Sequence, residues 1–170
     1  MSGIYNDTNV GSFKTKSILH NKIRLQVRYI GKDVKEILKT ILRERVEGKC
    51  IKQGYVMPNT CDIISYSAGE CDTSFIVFHI VYKCIIYKPI KNKQLIVEIV
   101  NKTKAGIRAK TRDPISHIDV FVAREYMNDT ISDSMYNDGY KQGENINVKI
   151  LGFRYELNDT KISIIADLVE

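Results

Sequence analysis

The chain has 170 residues, of which 44% are hydrophobic and 27% charged, and its net charge is +6 at pH 7. This length suits one ordinary domain, or two small domains that share an interface. No apolar run approaches the roughly 20 residues that a membrane-spanning helix needs. The first residues lack the basic and apolar pattern of a signal peptide. We therefore expect an intracellular protein with no membrane partner.

The cysteines and histidines show no metal-ligand spacing. Cys50, Cys61, Cys71 and Cys84 form no C-x-x-C pair, whereas tight pairs are typical of structural zinc sites. We therefore expect no metal and no cofactor. Cys50 and Cys84 are expected to be buried in strands, where a free cysteine behaves as a small hydrophobic side chain.

The chain opens with a polar segment, residues 1–17, which we expect to be flexible because termini often are. From His20 to Ile30, apolar residues then alternate with basic and polar ones, and Gly31 follows. This alternation predicts a half-buried strand. Its predicted buried face carries Ile23, Leu25, Val27 and Tyr29.

A helix is predicted to begin at Asp33. Asp33 and Glu36 have the spacing of a capping box, in which two side chains satisfy free backbone amides at the helix start. Gly48 is a natural C-terminal stop. The apolar residues at helical spacing are Val34, Ile37, Leu38, Ile41 and Leu42. Together they predict one buried stripe.

Three strands are predicted after the helix, at Lys49–Met57, Thr60–Tyr66 and Phe75–Tyr87, and composition predicts a loop over Ser67–Ser74. A helix of about three turns is not stable alone, so this sheet should bury the apolar stripe. Lys88-Pro89 then ends the sheet, because proline cannot donate a hydrogen bond to a strand ladder.

The second half reads as short strands only. The predicted strands are Gln94–Val100, Ala105–Lys110, Ile118–Val122, Asn145–Tyr155 and Lys161–Ala166, with a turn at Asn101–Lys104 and a long excursion from Arg124 to Gly143. Five short strands with this spacing match an OB-fold, a partly open Greek-key barrel. The predicted fold class is therefore α+β: an antiparallel sheet wrapped on one helix over residues 18–88, then a five-stranded OB barrel over residues 89–170.

Basic residues concentrate near the start of the second half. Between Lys88 and Arg112 there are eight basic residues, and Glu98 is the only acidic one. A basic face of this kind is a mild indication of nucleic-acid binding. Lysines on a solvated turn would give the same pattern, so both interpretations stay open at this point.

The order of several short motifs resembles one known family. These motifs are Tyr29-Ile30-Gly31 before the helix, Val46 to Cys50 and Gly54-Tyr55 after it, Val81 to Pro89, Asn101-Lys102 with Gly106, and Val148 to Gly152. No single motif is specific, but together they cover most of the chain. The sequence resembles the stalk subunit of multisubunit DNA-directed RNA polymerases, the family that comprises the seventh subunit of the eukaryotic RNA polymerase II enzyme and its archaeal counterpart.

The resemblance implies a non-catalytic protein with two modules, a tip that docks on the polymerase core and an OB barrel near the emerging transcript. The implied partners are the large polymerase subunits, a second stalk subunit and RNA. The residues implied in core docking are Ser65, Tyr66, Ser67, Ala68, Gly69, Glu70, Cys71 and Asp72. Those implied in RNA binding are Lys102, Lys104, Arg108 and Lys110. The abundance of Ile, Lys, Asn and Tyr suggests an AT-rich coding genome, which would suit a large DNA virus, so the expected location is the nucleus, or a viral factory or virion.

One feature departs from the family pattern. Family barrels often carry aromatic residues in the second barrel strand, which here reads Gly106 to Lys110 and has none. Stacking on an aromatic is worth roughly 1–3 kcal/mol per base. Phe121 and Phe153 could supply it if they face outward, although core burial is the more common place for phenylalanine. RNA binding is therefore expected to be weak, electrostatic and salt-sensitive.

Two other classes of function are weighed against this one. A free-standing OB-fold RNA-binding protein, such as a processing or translation factor, would share the barrel and the basic patch. An enzyme would need a catalytic cluster, and the sequence has neither a phosphate-binding glycine loop nor a nucleophile elbow. The polar candidates for catalysis are scattered: Cys50, Cys61, Cys71, His79, Asp113, His117 and Asp119. Of these, His117 and Asp119 are predicted to share one face of a strand.

Overall fold

The computed structural model describes residues 13–31, 33–111, 117–126 and 139–169, in which one helix accompanies strands of two sheets. In chain order the elements are β1 Lys14–Gln26, α1 Val34–Val46, β2 Cys50–Ile51, β3 Gly54–Val56, β4 Asp62–Tyr66, β5 Glu70–Asp72, β6 Phe75–Tyr87, β7 Gln94–Thr103, β8 Gly106–Lys110, β9 Ile118–Ala123, β10 Asn145–Arg154 and β11 Ile162–Leu168. Within the described ranges, no helix is both long and apolar enough to cross a bilayer.

The first sheet is built on β6, a strand of 13 residues that begins and ends where the sequence predicted. One edge of β6 pairs antiparallel with β1 along its whole length, from Lys14 opposite Tyr87 to Gln26 opposite Phe75. The other edge pairs in turn with β3, β4 and β5. A single long strand therefore holds the short strands of this sheet together.

Helix α1 lies on one face of this sheet and buries the predicted stripe. Leu38 and Leu42 are fully buried, and Val46 extends the stripe by one turn. They join a core with Ile23 of β1 and Ile80 of β6. The partly buried residues packed around this core include Val34, Ile37 and Ile41. The prediction that the sheet covers the helix is confirmed.

The two ends of α1 differ from each other. Gly48 follows the helix with a φ of +70°, a conformation that glycine adopts without a Cβ penalty, so the predicted C-terminal stop is confirmed. Asp33 is the N-cap residue, but its side chain makes no cap hydrogen bond. Its φ of −110° and ψ of 36° differ from the extended backbone typical of a capping residue. The predicted capping box is therefore wrong.

Strands β7 to β11 close into a barrel in the order β10-β11-β9-β8-β7. β11 and β9 run parallel, and the other neighbouring strands are antiparallel. The inward residues alternate along each strand, as Leu95, Val97 and Ile99 do in β7. This barrel confirms the predicted fold class, α+β with a five-stranded OB-type barrel.

Three local predictions about strands were wrong. β1 begins at Lys14 rather than His20, so residues 14–17 of the predicted flexible segment lie in the sheet. The reason is that β6 offers a partner for every residue of β1. Residues Glu70–Asp72, predicted as loop, form β5 against the start of β6. β7 continues to Thr103, so its turn falls at residues 104–105 instead of Asn101–Lys104.

The predicted excursion from Arg124 to Gly143 lies largely outside the described residues, because 127–138 are not described. Arg112 and Asp113 are likewise outside them, as are residues 1–12 of the N-terminal segment. The predictions made for these positions therefore stay predictions.

An aromatic cluster joins the end of the sheet to the barrel core. The His117 ring lies parallel to Tyr55, with centroids 4.4 Å apart, and meets Tyr87 edge-on at 4.8 Å. Phe13 packs on Tyr87 at 5.6 Å. Phe13, Tyr55 and Tyr87 belong to the same buried cluster as the barrel interior. The last residues of the sheet thus help to close the barrel end.

Asp62 connects helix to sheet and makes stability depend on pH. Its carboxylate lies 3.0 Å from Lys39 Nζ and 3.5 Å from Lys83 Nζ. The hydrogen bond from Lys39, aided by Lys83, holds the pKa of Asp62 below its ordinary value. A lowered folded-state pKa adds stability that is present above the unfolded value of about 3.9 and is lost as pH falls through the folded-state value.

We expect Asp62→Asn to be less stable than the parent at pH 7, and to lose less stability when the pH is lowered from about 5 to about 2. Thermal unfolding across this range checks both effects. Parallel pH profiles for the variant and the parent would contradict the assignment.

Candidate docking and nucleic-acid surfaces

The candidate docking segment Ser65–Asp72 runs from the end of β4, through a turn, into β5. Ser67 holds the turn against β6 through two hydrogen bonds to His79. The Ser67 backbone N–H donates to the His79 carbonyl at 3.0 Å, and the Ser67 Oγ accepts from the His79 N–H at 3.1 Å. Gly69 has a φ of +94°, and a Cβ there would lie 2.6 Å from Ile76 Cγ2. The segment is therefore held close against the sheet and presents an ordered surface.

Side chains of β1 and β6 contact the carboxylates of the β5 part of this segment. Arg24 of β1 reaches across β6 to Asp72, with Nη2 and Oδ2 2.8 Å apart. Its guanidinium also lies 4.8 Å from the ring centroid of Phe75. Glu70 lies 4.0 Å from His79 Nε2. These contacts are exposed, so each adds little to stability, but they orient the surface that this end of the sheet presents.

Three exposed hydrophobic residues lie beside this segment, and sequence reasoning missed them. Val27, Tyr29 and Ile30 are 52%, 50% and 37% exposed; we call them the tip patch. Val27 and Tyr29 were predicted to continue the buried face of β1, which was wrong. The strand ends at Gln26 and a 3-10 turn follows, so the alternation stops. The signal that was available is Gly31, only five residues beyond Gln26.

The tip patch and the docking segment share one end of the sheet. The Val27 backbone N–H donates to the Ser74 carbonyl at 3.3 Å, which ties the 3-10 turn to the turn that joins β5 to β6. Phe75 and Tyr29 line the same shallow depression. An apolar patch with a charged rim is the composition of a protein-docking surface.

The four candidate RNA-binding residues do not form one patch. Arg108 and Lys110 point outward from β8, and Lys104 is exposed at the β7–β8 turn. Lys102 is half-buried, and its Nζ donates to the Tyr140 carbonyl at 3.4 Å. The structure therefore brings two of the four residues together on the barrel wall.

These two basic residues already face carboxylates. Arg108 Nη2 lies 3.9 Å from Asp119, and Lys110 Nζ lies 4.0 Å from Glu98. Asp119 also accepts from Lys161. The basic stretch seen in the sequence is therefore partly neutralised by acidic side chains on neighbouring strands.

The two candidate stacking residues, Phe121 and Phe153, are half-buried rather than buried in the core. Phe121 lies on the outer barrel wall directly opposite Arg108. Its ring covers Gly106, where a Cβ would come within 2.9 Å of Phe121 Cζ. An aromatic side chain thus does accompany the basic residues of β8, supplied by the neighbouring strand.

Asp113 lies outside the described residues, and the others weighed for catalysis are not brought together within the part of the chain that is described. His117 is buried among aromatic rings, whereas Asp119 is on the outer wall with Arg108 and Lys161. The prediction that His117 and Asp119 share a face is wrong, because His117 precedes β9. Burial raises the pKa of the Cys50 thiol to about 11, so this thiol stays protonated at neutral pH. Cys50 and Cys84 are buried as predicted.

The fold and surfaces define a class: a chain with a helix-covered sheet, a closed OB-type barrel and an exposed apolar patch at the far end of the sheet. Comparison with curated proteins shows which known proteins the chain is similar to. The chain is 33% identical over 89 residues to DNA-directed RNA polymerase II subunit 7 of Arabidopsis thaliana. It is 25% identical over 154 residues to subunit RPB7 of the same enzyme from Glycine max. It is 26% identical over 167 residues to a protein of Acanthamoeba polyphaga mimivirus assigned as a DNA-directed RNA polymerase subunit.

The matches differ in how much of each protein they span. The Arabidopsis match covers 50% of this chain and about half, 51%, of that protein. The Glycine max match covers 84% of this chain and 85% of that protein, and the mimivirus match covers 93% and 82%. No family model matches the chain. The comparisons confirm the resemblance: the chain is similar to the seventh subunit of RNA polymerase II and to a viral RNA polymerase subunit.

Proposed function

We propose that the chain is a non-catalytic stalk subunit of a DNA-directed RNA polymerase. The observation that carries this proposal is the pair of long matches, each spanning more than four fifths of a relative named as an RNA polymerase subunit. The fold also supports the proposal, because the family resemblance implies a sheet with a helix followed by a barrel. In this role the chain acts by binding other molecules, and the core enzyme catalyses the reaction.

The tip module is proposed to dock on the large polymerase subunits. Its docking surface combines the segment Ser65–Asp72 with the tip patch. The apolar side chains would supply the buried centre of the interface, and the charged pair of Arg24 and Asp72 its rim. The apolar exposure at this end of the sheet supports the assignment, since a solvated loop needs no such residues.

The barrel is proposed to lie near the RNA exit path and to contact RNA weakly. Arg108 and Lys110 of β8 are its candidate phosphate contacts. Lys104, at the β7–β8 turn, and Lys102, near the end of β7, are the other two candidates. Because Arg108 and Lys110 already face Asp119 and Glu98, RNA would have to replace existing ion pairs. This supports weak, salt-sensitive binding.

The module boundaries and the cellular setting are further proposals. We place the tip module at residues 18–88, preceded by an N-terminal segment, and the barrel module at 89–170. One buried cluster lies between the helix and the sheet and a second fills the barrel, which supports two modules, and Phe13, Tyr55 and Tyr87 of the first module pack into the barrel cluster. A second stalk subunit is a proposed partner. The viral relative supports a large DNA virus as the source, with the nucleus, a viral factory or the virion as the location.

The proposal is tested by purifying the tagged chain from its native source and identifying the proteins that come with it. Near-equal recovery of the two large polymerase subunits is the expected result. Recovery of RNA or ribosomal material without polymerase would reject it in favour of a free-standing OB-fold RNA-binding protein.

A further inference from the structure

A cleft opens where the chain passes from the sheet to the barrel. Its volume is about 440 Å³, within the range of about 300–1,000 Å³ that is common for ligand-binding clefts. The residues that line it are Phe13, Thr15, Lys88, Pro89, Ile90, Lys91 and Phe153. We call this the junction cleft. Of these residues only Phe153, a candidate for base stacking, was among the RNA-binding candidates drawn from the sequence.

The walls of the junction cleft are fixed on both sides by backbone hydrogen bonds. The Lys88 N–H donates to the Phe13 carbonyl at 3.0 Å, which holds the linker between β6 and β7, residues 88–93, to the start of the sheet. The Asn92 N–H donates to the Ile150 carbonyl at 2.8 Å, and the Ile150 N–H to the Lys93 carbonyl at 2.9 Å. The linker is thereby held along β10, so the cleft is formed in advance of any ligand.

The charge of the junction cleft is not neutralised. Two lysines line it, and no acidic residue does. Across the described residues, no ion pair involves Lys88 or Lys91, in contrast to Arg108 and Lys110 on the barrel wall. A polyanion could therefore bind both ammonium groups without breaking an existing pair. Lys93, exposed two residues further along, adds to the same positive field.

The junction cleft also contains an oriented aromatic ring. Phe153 lies parallel to Tyr155, with an interplanar angle of 6° and centroids 6.2 Å apart. The Tyr155 hydroxyl donates to the Lys52 carbonyl at 3.3 Å, which holds this ring pair in place. Proteins that bind single-stranded nucleic acid combine lysine or arginine for the backbone with such rings for the bases.

We propose that the junction cleft binds a short segment of single-stranded RNA, with phosphates at Lys88 and Lys91 and a base against Phe153. The choice of RNA over DNA rests on the proposed function, because the strand that leaves the enzyme is RNA. The assignment of the cleft itself rests on its charge and its ring. It moves the main RNA contact from the barrel wall to the sheet–barrel junction.

The test measures binding of a 5′-labelled 12-nucleotide polyuridylate to the purified full chain by fluorescence anisotropy at several salt concentrations. For single strands each phosphate contact contributes about 0.7 to the slope of log K against log salt. The double variant K88Q/K91Q is therefore expected to lower that slope by about 1.4, with affinity about tenfold weaker. Phe153→Leu should weaken binding about fivefold at an unchanged slope, since it removes stacking, and Phe153→Tyr should retain it.

A matched control, K22Q/K35Q, removes the same net charge elsewhere. Lys22 is seven residues along β1 from Thr15, about 23 Å at the rise of an extended strand, and Lys35 is exposed on the helix. This control should leave the salt slope nearly unchanged. Equal losses in the control and cleft variants would overturn the proposal, because net charge alone would explain them. A loss confined to R108Q/K110Q would also overturn it, as would tighter binding of DNA of matching length.

Polymerase co-purification is measured in parallel with the same variants, so that two failures can be told apart. One outcome is that the parent chain recovers no polymerase while the cleft variants still bind RNA more weakly than the parent. In that case the proposed function fails and the cleft assignment stands. If the cleft variants lose polymerase while RNA binding is unchanged, a protein covers the cleft and the RNA assignment fails. Thermal unfolding of each variant confirms that it is folded.

Discussion

Replacing Val27 and Tyr29 of the tip patch by serine is expected to reduce recovery of the large polymerase subunits at least tenfold. Both side chains are about half exposed in the isolated chain, and the patch has the composition of an interface centre. Truncating an aromatic anchor at such a centre often costs about 2 kcal/mol or more, and each 1.4 kcal/mol is a tenfold change in affinity. The readout is quantitative mass spectrometry of the material recovered with a tagged chain.

The same double variant should fold normally. Exposed positions away from the core usually change stability by no more than about 0.5 kcal/mol, so the thermal midpoint is expected to stay near that of the parent. Leu157→Ser provides the matched control, because Leu157 is a 70% exposed hydrophobic residue outside the tip patch, between β10 and β11. Undiminished recovery with the tip variant, or an equal loss with the Leu157 variant, would rule out the tip patch as the docking centre.

Gly106→Ala is expected to destabilise the barrel by about 3 kcal/mol. A Cβ at this position would lie 2.2 Å from the Val122 carbonyl oxygen and 3.1 Å from Ala123 Cα. Both atoms belong to the backbone of β9, which cannot move aside without disturbing its pairing with β8 and β11. In addition φ is +155°, a value that residues with a Cβ rarely adopt.

Gly143→Ala separates the two causes. Gly143 also has a positive φ, of +87°, but a Cβ there would meet nothing within 4 Å. Its cost should be only the backbone strain, about 1–2 kcal/mol. Chemical denaturation of both variants measures the difference. Equal free energies of unfolding would mean that close approach to β9 contributes nothing, and that the glycine is required for its φ alone.

Gly106 also connects packing to the surface used in the proposed function. Because it has no side chain, Phe121 of β9 can lie over it on the outer wall, opposite Arg108. A larger residue would displace the ring of Phe121 as well as the backbone of β9. Measuring RNA binding of any folded Gly106 variant would therefore report on the barrel wall, independently of the junction cleft.

The elements with a strong local pattern were predictable from the sequence. β6 was located to the residue, because a run of β-branched and aromatic residues ends abruptly at Lys88-Pro89. The stripe of α1 follows from spacing alone, and Gly48 ends it. The five barrel strands were each found within a few residues. In all these cases one face or one run carries enough apolar area to fix the structure locally.

Positions that depend on a partner strand were not predictable. Lys14 to Ser17 look like a polar terminus but are in β1, because β6 is long enough to pair with them. Glu70–Asp72 look like loop and form β5 for the same reason. Val27 and Tyr29 look buried and are exposed, since the chain turns away at Gln26. Pairing with a distant strand overrides local composition at residues 14–17, pairing within a hairpin does so at Glu70–Asp72, and the end of β1 ends the alternation before Val27.

The general architecture follows from the amino-acid sequence alone: a helix-covered sheet, a barrel and a motif order that resembles a polymerase stalk subunit. The positions of the surfaces depend on how the strands pair and pack in three dimensions. A sequence gives the number of charged residues, but whether two of them form an ion pair depends on the distance between their side chains. The basic stretch of β8 thus proved to be paired with Asp119 and Glu98. The lysines and the ring of the junction cleft come together only because the linker is hydrogen-bonded to the start of the sheet at Phe13 and to β10.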